Sequence, residues 1–456
     1  MRLFHTNDIH SEYENMGRLA TFLRENKKAN DLYIDAGDIS DLKSLMVIGS
    51  KGLVSARFMN ELNVDAVAVG NNESELGKEW LENMAGAMPL VCCNLKTTEN
   101  EDIKNLLPSK IITKDGTRFL IVGTSPFYSA DLREGAYNFF LELDGLKTID
   151  PIIAIQKEIK RNHGNYDICI LASHSGIETD EYIAKSVEGI DILVGGHSHS
   201  LIEQPLVINN TIMIQARAYA EFVGCLDLTI QDNKIIDYKY SLNTLNKFRQ
   251  DEDFQMLLEE CNENAIEQLN EPIATIEELA FDLTHECRLI NFICDALYLM
   301  HPCDLAIMYN GIANYTLVGD ISKIELIDCL PSKLNPTLVH VSGKQIRDAF
   351  ELSFDENYCM QSGKGPGFRG DKLGTLSFSH NVSIVDSKLY INNELLDDDK
   401  EYSVMLDDYL QRGQRYSSLK TEEKDAKFFS GFIRDLIERN LTNKECFELS
   451  LINRGK

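Results

Sequence analysis

The chain has 456 residues, 43% hydrophobic and 26% charged, with 72 acidic against 45 basic side chains and a formal charge of -27. That length exceeds one ordinary core and predicts two or three domains of a soluble globular protein. The acidity excludes general binding to nucleic acid polymers or anionic membrane, and no apolar run approaches the roughly 20 residues of a spanning helix. The first apolar strand starts almost at Met1, and the 11 cysteines, an odd number with no CxxC pair, sit mostly in apolar segments. Both features predict reduced thiols and a cytoplasmic location, not a disulfide framework or a zinc knuckle.

Residues 1 to about 245 alternate short apolar runs with helical patterns. The runs Leu32–Ile34, Val64–Val69, Leu90–Cys93, Phe119–Val122, Ile168–Ala172 and Ile190–Val194 have the length of buried strands. Between them, Leu19, Phe22 and Leu23, then Val54, Phe58, Met59 and Leu62, repeat at helical spacing. This alternation predicts a layered α/β domain with its ligand site on loops at one sheet edge. From Asp251 to Leu269 the apolar positions follow one helical face before Pro272, so 246–274 is read as a linker helix. The remaining 275–456 opens with a helix over Arg288–Met300, mixes strands with helices, and contains a glycine-rich loop from Gly363 to Gly374. That loop lacks GxGxxG followed by a helix, which excludes a dinucleotide fingerprint.

Five polar clusters each follow an apolar run. They are Asp8-Ile9-His10, Asp35 to Asp38, Gly70 to Glu73, Ser173-His174 and Gly195 to His199. A shared sheet edge would bring their side chains together. Asp8, His10, Asp38, Asn71, His174, His197 and His199 then supply seven oxygen and nitrogen ligands, enough for two divalent ions with a bridging carboxylate. Such ligands accept manganese, zinc, iron or cobalt and do not discriminate among them. Two ions polarise a phosphoryl oxygen and generate hydroxide at neutral pH, which suits phosphoester hydrolysis. Gly37, Gly70, Gly195 and Gly196 are expected to permit tight turns that bring the ligands inward.

The order DxH, GD, GN, lone His and GHSH resembles the calcineurin-like metallophosphoesterase superfamily, specifically the 5'-nucleotidase family. The resemblance implies a four-layer α/β/β/α catalytic domain over 1–245, the linker helix, and a C-terminal α+β nucleotide-recognition domain over 275–456. It implies one ion on Asp8, His10 and His199, another on Asn71, His174 and His197, and Asp38 bridging. A hydroxide beside Asp38 would attack phosphorus of a small nucleotide-like phosphoester while Asn71 helps to hold the phosphoryl oxygens.

Two departures stand out. The family's histidine after GN is Asn72 here, with Glu75 where that histidine's acidic partner would stand. An amide donates a hydrogen bond but transfers no proton, so Asn72 implies reduced or specialised hydrolysis. In the second half, the family's base-contacting asparagine resembles Asn310, but the arginine of its NGGGIR motif is missing from Asn310-Gly311-Ile312-Ala313. The two base-stacking aromatics resemble Phe368 and Tyr409, with Arg369, Arg412 and Arg415 as candidate phosphate contacts. Two alternatives stay open: a metal-loaded nucleotide or metabolite sensor without turnover, and a phosphodiesterase for cyclic or dinucleotide substrates.

Overall fold

The structure is a computed structural model that describes residues 1–363, 365 and 367–455; Lys364 and Pro366 of the glycine-rich loop lie outside the described residues. It divides into two compact units, Met1–Gln268 and Leu269–Lys456.

The first unit holds two six-stranded sheets. In one, the strands Arg2–Thr6, Leu32–Asp35, Ala66–Ala68 and Leu90–Val91 run parallel, and the hairpin Phe222–Gln231 and Lys234–Thr244 adds antiparallel to Arg2–Thr6. In the other, Thr117–Thr124, Ile168–Ser173, Ile192–Gly195 and Thr211–Ile214 run parallel, with Ser109–Lys114 and Leu206–Ile208 antiparallel at the edges. Strands buried on both faces need apolar residues at consecutive positions, which is why they read as unbroken runs.

Alternation along each strand divides those residues between two faces. Leu3, Leu32, Ile34, Ala66, Phe119, Ile121, Ile168, Ile170, Ile192 and Val194 form a core between the sheets. Phe4, Tyr33 and Val67 face outward to the helices Tyr13–Asn26, Leu53–Glu61 and Lys78–Ala87. Leu120, Cys169, Leu171 and Leu193 face the helices Pro151–Arg161 and Ile177–Ser186. The result is a four-layer α/β/β/α arrangement. The helix Glu252–Asn270 buries Phe254 and Cys261 in the outer core of this unit, with Phe254 5.2 Å from Phe58.

The second unit is α+β. Its five-stranded sheet contains Leu305–Tyr309, Pro336–Ser342, Leu376–Phe378, Glu401–Asp407 and Lys427–Phe428. The helix Arg288–Met300 is buried along most of its length against this sheet. Near the end of the chain Arg454 is fully buried, its guanidinium 2.6 Å from the Asp295 carboxylate on that helix.

Candidate metal centre

Every candidate ligand lies just past a strand terminus. Asp8 and His10 follow Arg2–Thr6, Asp38 follows Leu32–Asp35, and Asn71 follows Ala66–Ala68. His174 follows Ile168–Ser173, and His197 and His199 follow Ile192–Gly195. The turns beyond the strands are sharp. Asp8, His10, Asp38, His197 and His199 have φ of 53°, 49°, 55°, 71° and 51°. Left-handed conformations in residues other than glycine cost about 1–3 kcal/mol each and persist where the surroundings impose them. Five in one site mark a place where geometry is held against local preference.

The glycines contribute differently from expectation. Gly37 does take a positive φ of 96°, but Gly70, Gly195 and Gly196 do not. They are needed for space: a Cβ on Gly70 would lie 2.0 Å from an Asp38 carboxylate oxygen, and one on Gly196 would lie 2.9 Å from His174 Nδ1. Close approach of backbone to ligand, more than turning, is what Gly70 and Gly196 require, and at Gly195 the close neighbour is the Asp180 carboxylate at 2.6 Å.

The side chains converge. His174 Nε2 is 3.2 Å from an Asp38 oxygen and 3.7 Å from one of Asp8. His10 Nε2 lies 3.8 Å from Asp8 and 3.7 Å from Asp38, and His199 Nε2 lies 3.4 Å from Asp8. His197 Nδ1 is 2.9 Å from Asn71 Oδ1. Two groups, Asp8-His10-His199 and Asp38-His174-His197, each keep their ligand atoms within 4.8 Å of one another. Seven groups predicted from sequence therefore share one site.

These residues fit divalent ions on chemical grounds as well. His174 is wholly buried, its Nδ1–H donates to the Ala36 carbonyl at 2.7 Å, and its Nε2, 3.2 Å from an Asp38 oxygen, marks the position that a proton or a cation would fill. Facing two carboxylates, that nitrogen needs positive charge between them, since acceptors left face to face repel. Electrostatics point the same way. Burial would lower the His174 imidazole, but the Asp38 and Asp8 carboxylates overcome it and lift it to about 10. Burial works against ionised Asp8 too, yet bonds from His10 and the charge of His174 pull it well below the usual carboxylate range. His197, buried beside His174, is pushed down to about 4. The field at this point of a strongly acidic chain invites positive charge.

Several supporting residues escaped the sequence reading. The buried Glu73 carboxylate accepts backbone N–H bonds from Asp38, Ser40 and Gly70 at 2.8, 2.9 and 2.9 Å, tying two ligand loops together. Asn7 donates to Asp8 at 2.7 Å and accepts from the Ala216 N–H at 2.9 Å. The Tyr137 hydroxyl is 2.8 Å from His197 Nε2, and the Tyr219 ring lies 5.7 Å from His10. Asn72 sends its backbone N–H to Asp38 and sets its side-chain amide 2.8 Å from His10 Nδ1.

The candidate substrate residues of the second unit behave otherwise. Phe368 and Tyr409 do meet, but their centroids are 5.3 Å apart at 30°, and Tyr309 joins them at 5.9 and 5.1 Å. A base between two rings needs two contact layers of about 3.5 Å each, so the expected sandwich is closed. Both rings are core residues, at 6% and 0% exposure. Asn310, expected to touch a base, is buried: its amide donates to the carbonyls of Asp282 and His285 at 2.7 and 2.8 Å, and its oxygen accepts from Ser377. Arg412 pairs with Asp408 at 2.7 Å, Arg369 bonds the Phe368 carbonyl, and Arg415 reaches Gln361 at 3.3 Å. Asn310, Phe368 and Tyr409 are engaged within their own fold, whereas Arg369 and Arg415 each commit one donor to it.

Sequence comparisons agree with this geometry. Residues 1–201 match the family model for calcineurin-like phosphoesterase, and residues 272–420 match that for the 5'-nucleotidase C-terminal domain. The chain is 25% identical to an uncharacterized metallophosphoesterase of Bacillus subtilis over 96% of its own length and 98% of the relative's. It is 26% identical to a 5'-nucleotidase of Rattus norvegicus, over 91% and 83%. Among solved structures it resembles a NAD nucleotidase of Haemophilus influenzae, with a TM-score of 0.62 at 17% identity over 97% and 96% of the two chains. It also resembles a 5'-nucleotidase precursor of Thermus thermophilus, with a TM-score of 0.56 at 20% identity over 100% and 98%.

Fold and site thus define a calcineurin-like metallophosphoesterase, a metal-dependent phosphoester hydrolase. The second family match adds a 5'-nucleotidase C-terminal domain over residues 272–420, the same pair of domains as in the 5'-nucleotidase relatives the chain resembles.

Proposed function

We propose that the protein hydrolyses small, nucleotide-like phosphoesters at a dinuclear site. Asp8, His10 and His199 would hold one divalent ion, Asn71, His174 and His197 the other, and Asp38 both. Bound ions supply a polarised phosphoryl oxygen and water of lowered pKa. The chain's own part is to hold the ligands and substrate in register. Glu73 and Asn7 fix the loops that carry Asp38 and Asp8. The Asn72 backbone N–H fixes one Asp38 oxygen, while its side-chain amide faces His10 instead of standing free toward a leaving group. The observation that carries the reading is the buried His174 Nε2 facing the Asp38 and Asp8 carboxylates at 3.2 and 3.7 Å.

A second reading, hydrolysis of cyclic or dinucleotide diesters, draws support from that same engaged amide. A good leaving group departs without a proton from the enzyme, whereas general acid help is typically worth about 10²- to 10⁴-fold. The proposed location is the cytoplasm, supported by 11 unpaired cysteines, 10 of them buried. Phosphate release from nucleoside monophosphates, an aryl phosphate and cyclic and dinucleotide diesters tests both readings, using protein loaded in turn with manganese, zinc, iron and cobalt. Hydrolysis of monoesters supports the first and of diesters alone the second. Tight nucleotide binding without turnover on any of them would select a sensor and overturn both.

A further inference from the structure

A histidine that binds a metal ion presents one bare ring nitrogen and donates the proton of the other, so the partner of that second nitrogen sets which tautomer exists. In His174 a backbone carbonyl, which can only accept, does this from the Nδ1 side. His197 is oriented the other way. Its Nδ1 faces inward, 2.9 Å from Asn71 Oδ1, and its Nε2 faces the Tyr137 hydroxyl at 2.8 Å.

This leaves His197 with two competing partners. A proton on Nδ1 would bond the Asn71 carbonyl oxygen, and both atoms would be lost as ligands to each other. A proton on Nε2 bonds the Tyr137 oxygen and leaves Nδ1 bare. We propose that Tyr137 is a positioning residue whose hydroxyl accepts from His197 Nε2–H, keeping Nδ1 available to the ion of the Asp38-His174-His197 group. The inference rests on the dinuclear reading above.

The loop around Tyr137 is built to keep it there. The Ala136 N–H bonds the Phe127 carbonyl, and the Asn138 side chain both donates to the Thr148 carbonyl at 2.9 Å and accepts from the Thr148 N–H at 2.7 Å. The tyrosine ring is half-buried against the outer core of the first unit and meets the His197 ring edge-on at 5.4 Å and 83°. Removing the oxygen alone, in Tyr137→Phe, keeps this packing.

The test uses full-length wild-type protein and Tyr137→Phe, with nitrogen NMR of the His197 ring in the metal-free state and manganese titrations read by ion stoichiometry. Wild type is expected to carry its proton on Nε2 and to take up two ions. Tyr137→Phe should move the proton to Nδ1 and weaken one ion about 10- to 100-fold. The other ion and the metal-free melting temperature should be unchanged. A wild-type proton on Nδ1, a variant with the wild-type tautomer and both affinities intact, or a variant that loses both ions together with its melting temperature would overturn the assignment. Wild-type protein that takes up no ion would overturn the proposed function first, and this inference with it.

Discussion

The two units use polar side chains in opposite ways. In the first, Asp8, Asp38 and His174 are buried with charge and lone pairs directed at one another, and the backbone takes left-handed turns to keep them so. In the second, Asn310 satisfies its amide and carbonyl within the fold, Arg412 is paired, and Phe368 closes on Tyr409. Backbone strain and clustered carboxylates are tolerated where a ligand compensates. The contrast separates a cluster of converging metal-type ligands from a set of aromatics and an asparagine that contact one another, although buried atoms without a hydrogen-bond partner, such as Asn291 Oδ1 and Gln411 Oε1, occur in the second unit too.

The strongest way to break this contrast is Asp38→Asn. Losing the shared carboxylate should leave fewer than two ions bound and reduce phosphate release by roughly 10³-fold, read by metal analysis and steady-state assay. The fold should survive, because Glu73 accepts from the Asp38 backbone, not its side chain. In the second unit the largest effect is on stability. Arg454→Met leaves the buried Asp295 with only the His380 N–H and ring, at 2.7 and 3.1 Å, as partners, and breaking a buried pair typically costs about 3–5 kcal/mol. Denaturant unfolding should show that loss while metal uptake stays at the wild-type level.

Tyr409→Ala comes next. A buried aromatic truncated to alanine costs about 3–5 kcal/mol when the cavity cannot collapse and less at a partly adaptable loop. If the ring serves mainly as core, unfolding reports the whole effect and KM for an aryl phosphate stays within twofold. A KM that rises more for nucleotides than for aryl phosphates would mean that the closed sandwich opens for a base. The smallest effect is the pH response of Asp407. Burial, then the neighbouring Asp408, lifts its carboxyl to about 7. The folded state thus holds a proton that the unfolded chain, titrating near 4, releases earlier. Stability is fully present below the unfolded value and falls as pH rises toward 7, by at most about 1.4 kcal/mol per unit. Asp407→Asn keeps the cap on the Leu410 N–H through its remaining oxygen and should flatten that slope.

The legibility of the sequence follows the same division. The seven converging groups could be read because each stands at the end of an apolar run, where a layered α/β sheet gathers its loops. The helix over Arg288–Met300 was equally plain from its apolar length. Glu73, Asn7 and Tyr137 were not readable. The bonds that let them tie the site together reach Ser40, His197 and Ala216, 33 to 209 residues away, so they are not visible locally. Phe368 and Tyr409 could be seen but not interpreted, since an aromatic residue in an apolar stretch looks the same whether it fills a core or lines a slot. The edge hairpin Phe222–Thr244 was missed because only part of it is buried, which weakens its apolar pattern.

The account depends most on a pair of cations between Asp8 and Asp38. Anomalous scattering from crystals grown with manganese measures this directly. Two peaks about 3.5–4 Å apart, one beside His10 and His199 and the other beside His174 and His197, are the predicted result. Peaks elsewhere on the molecule, or none in crystals whose protein is folded, would contradict it.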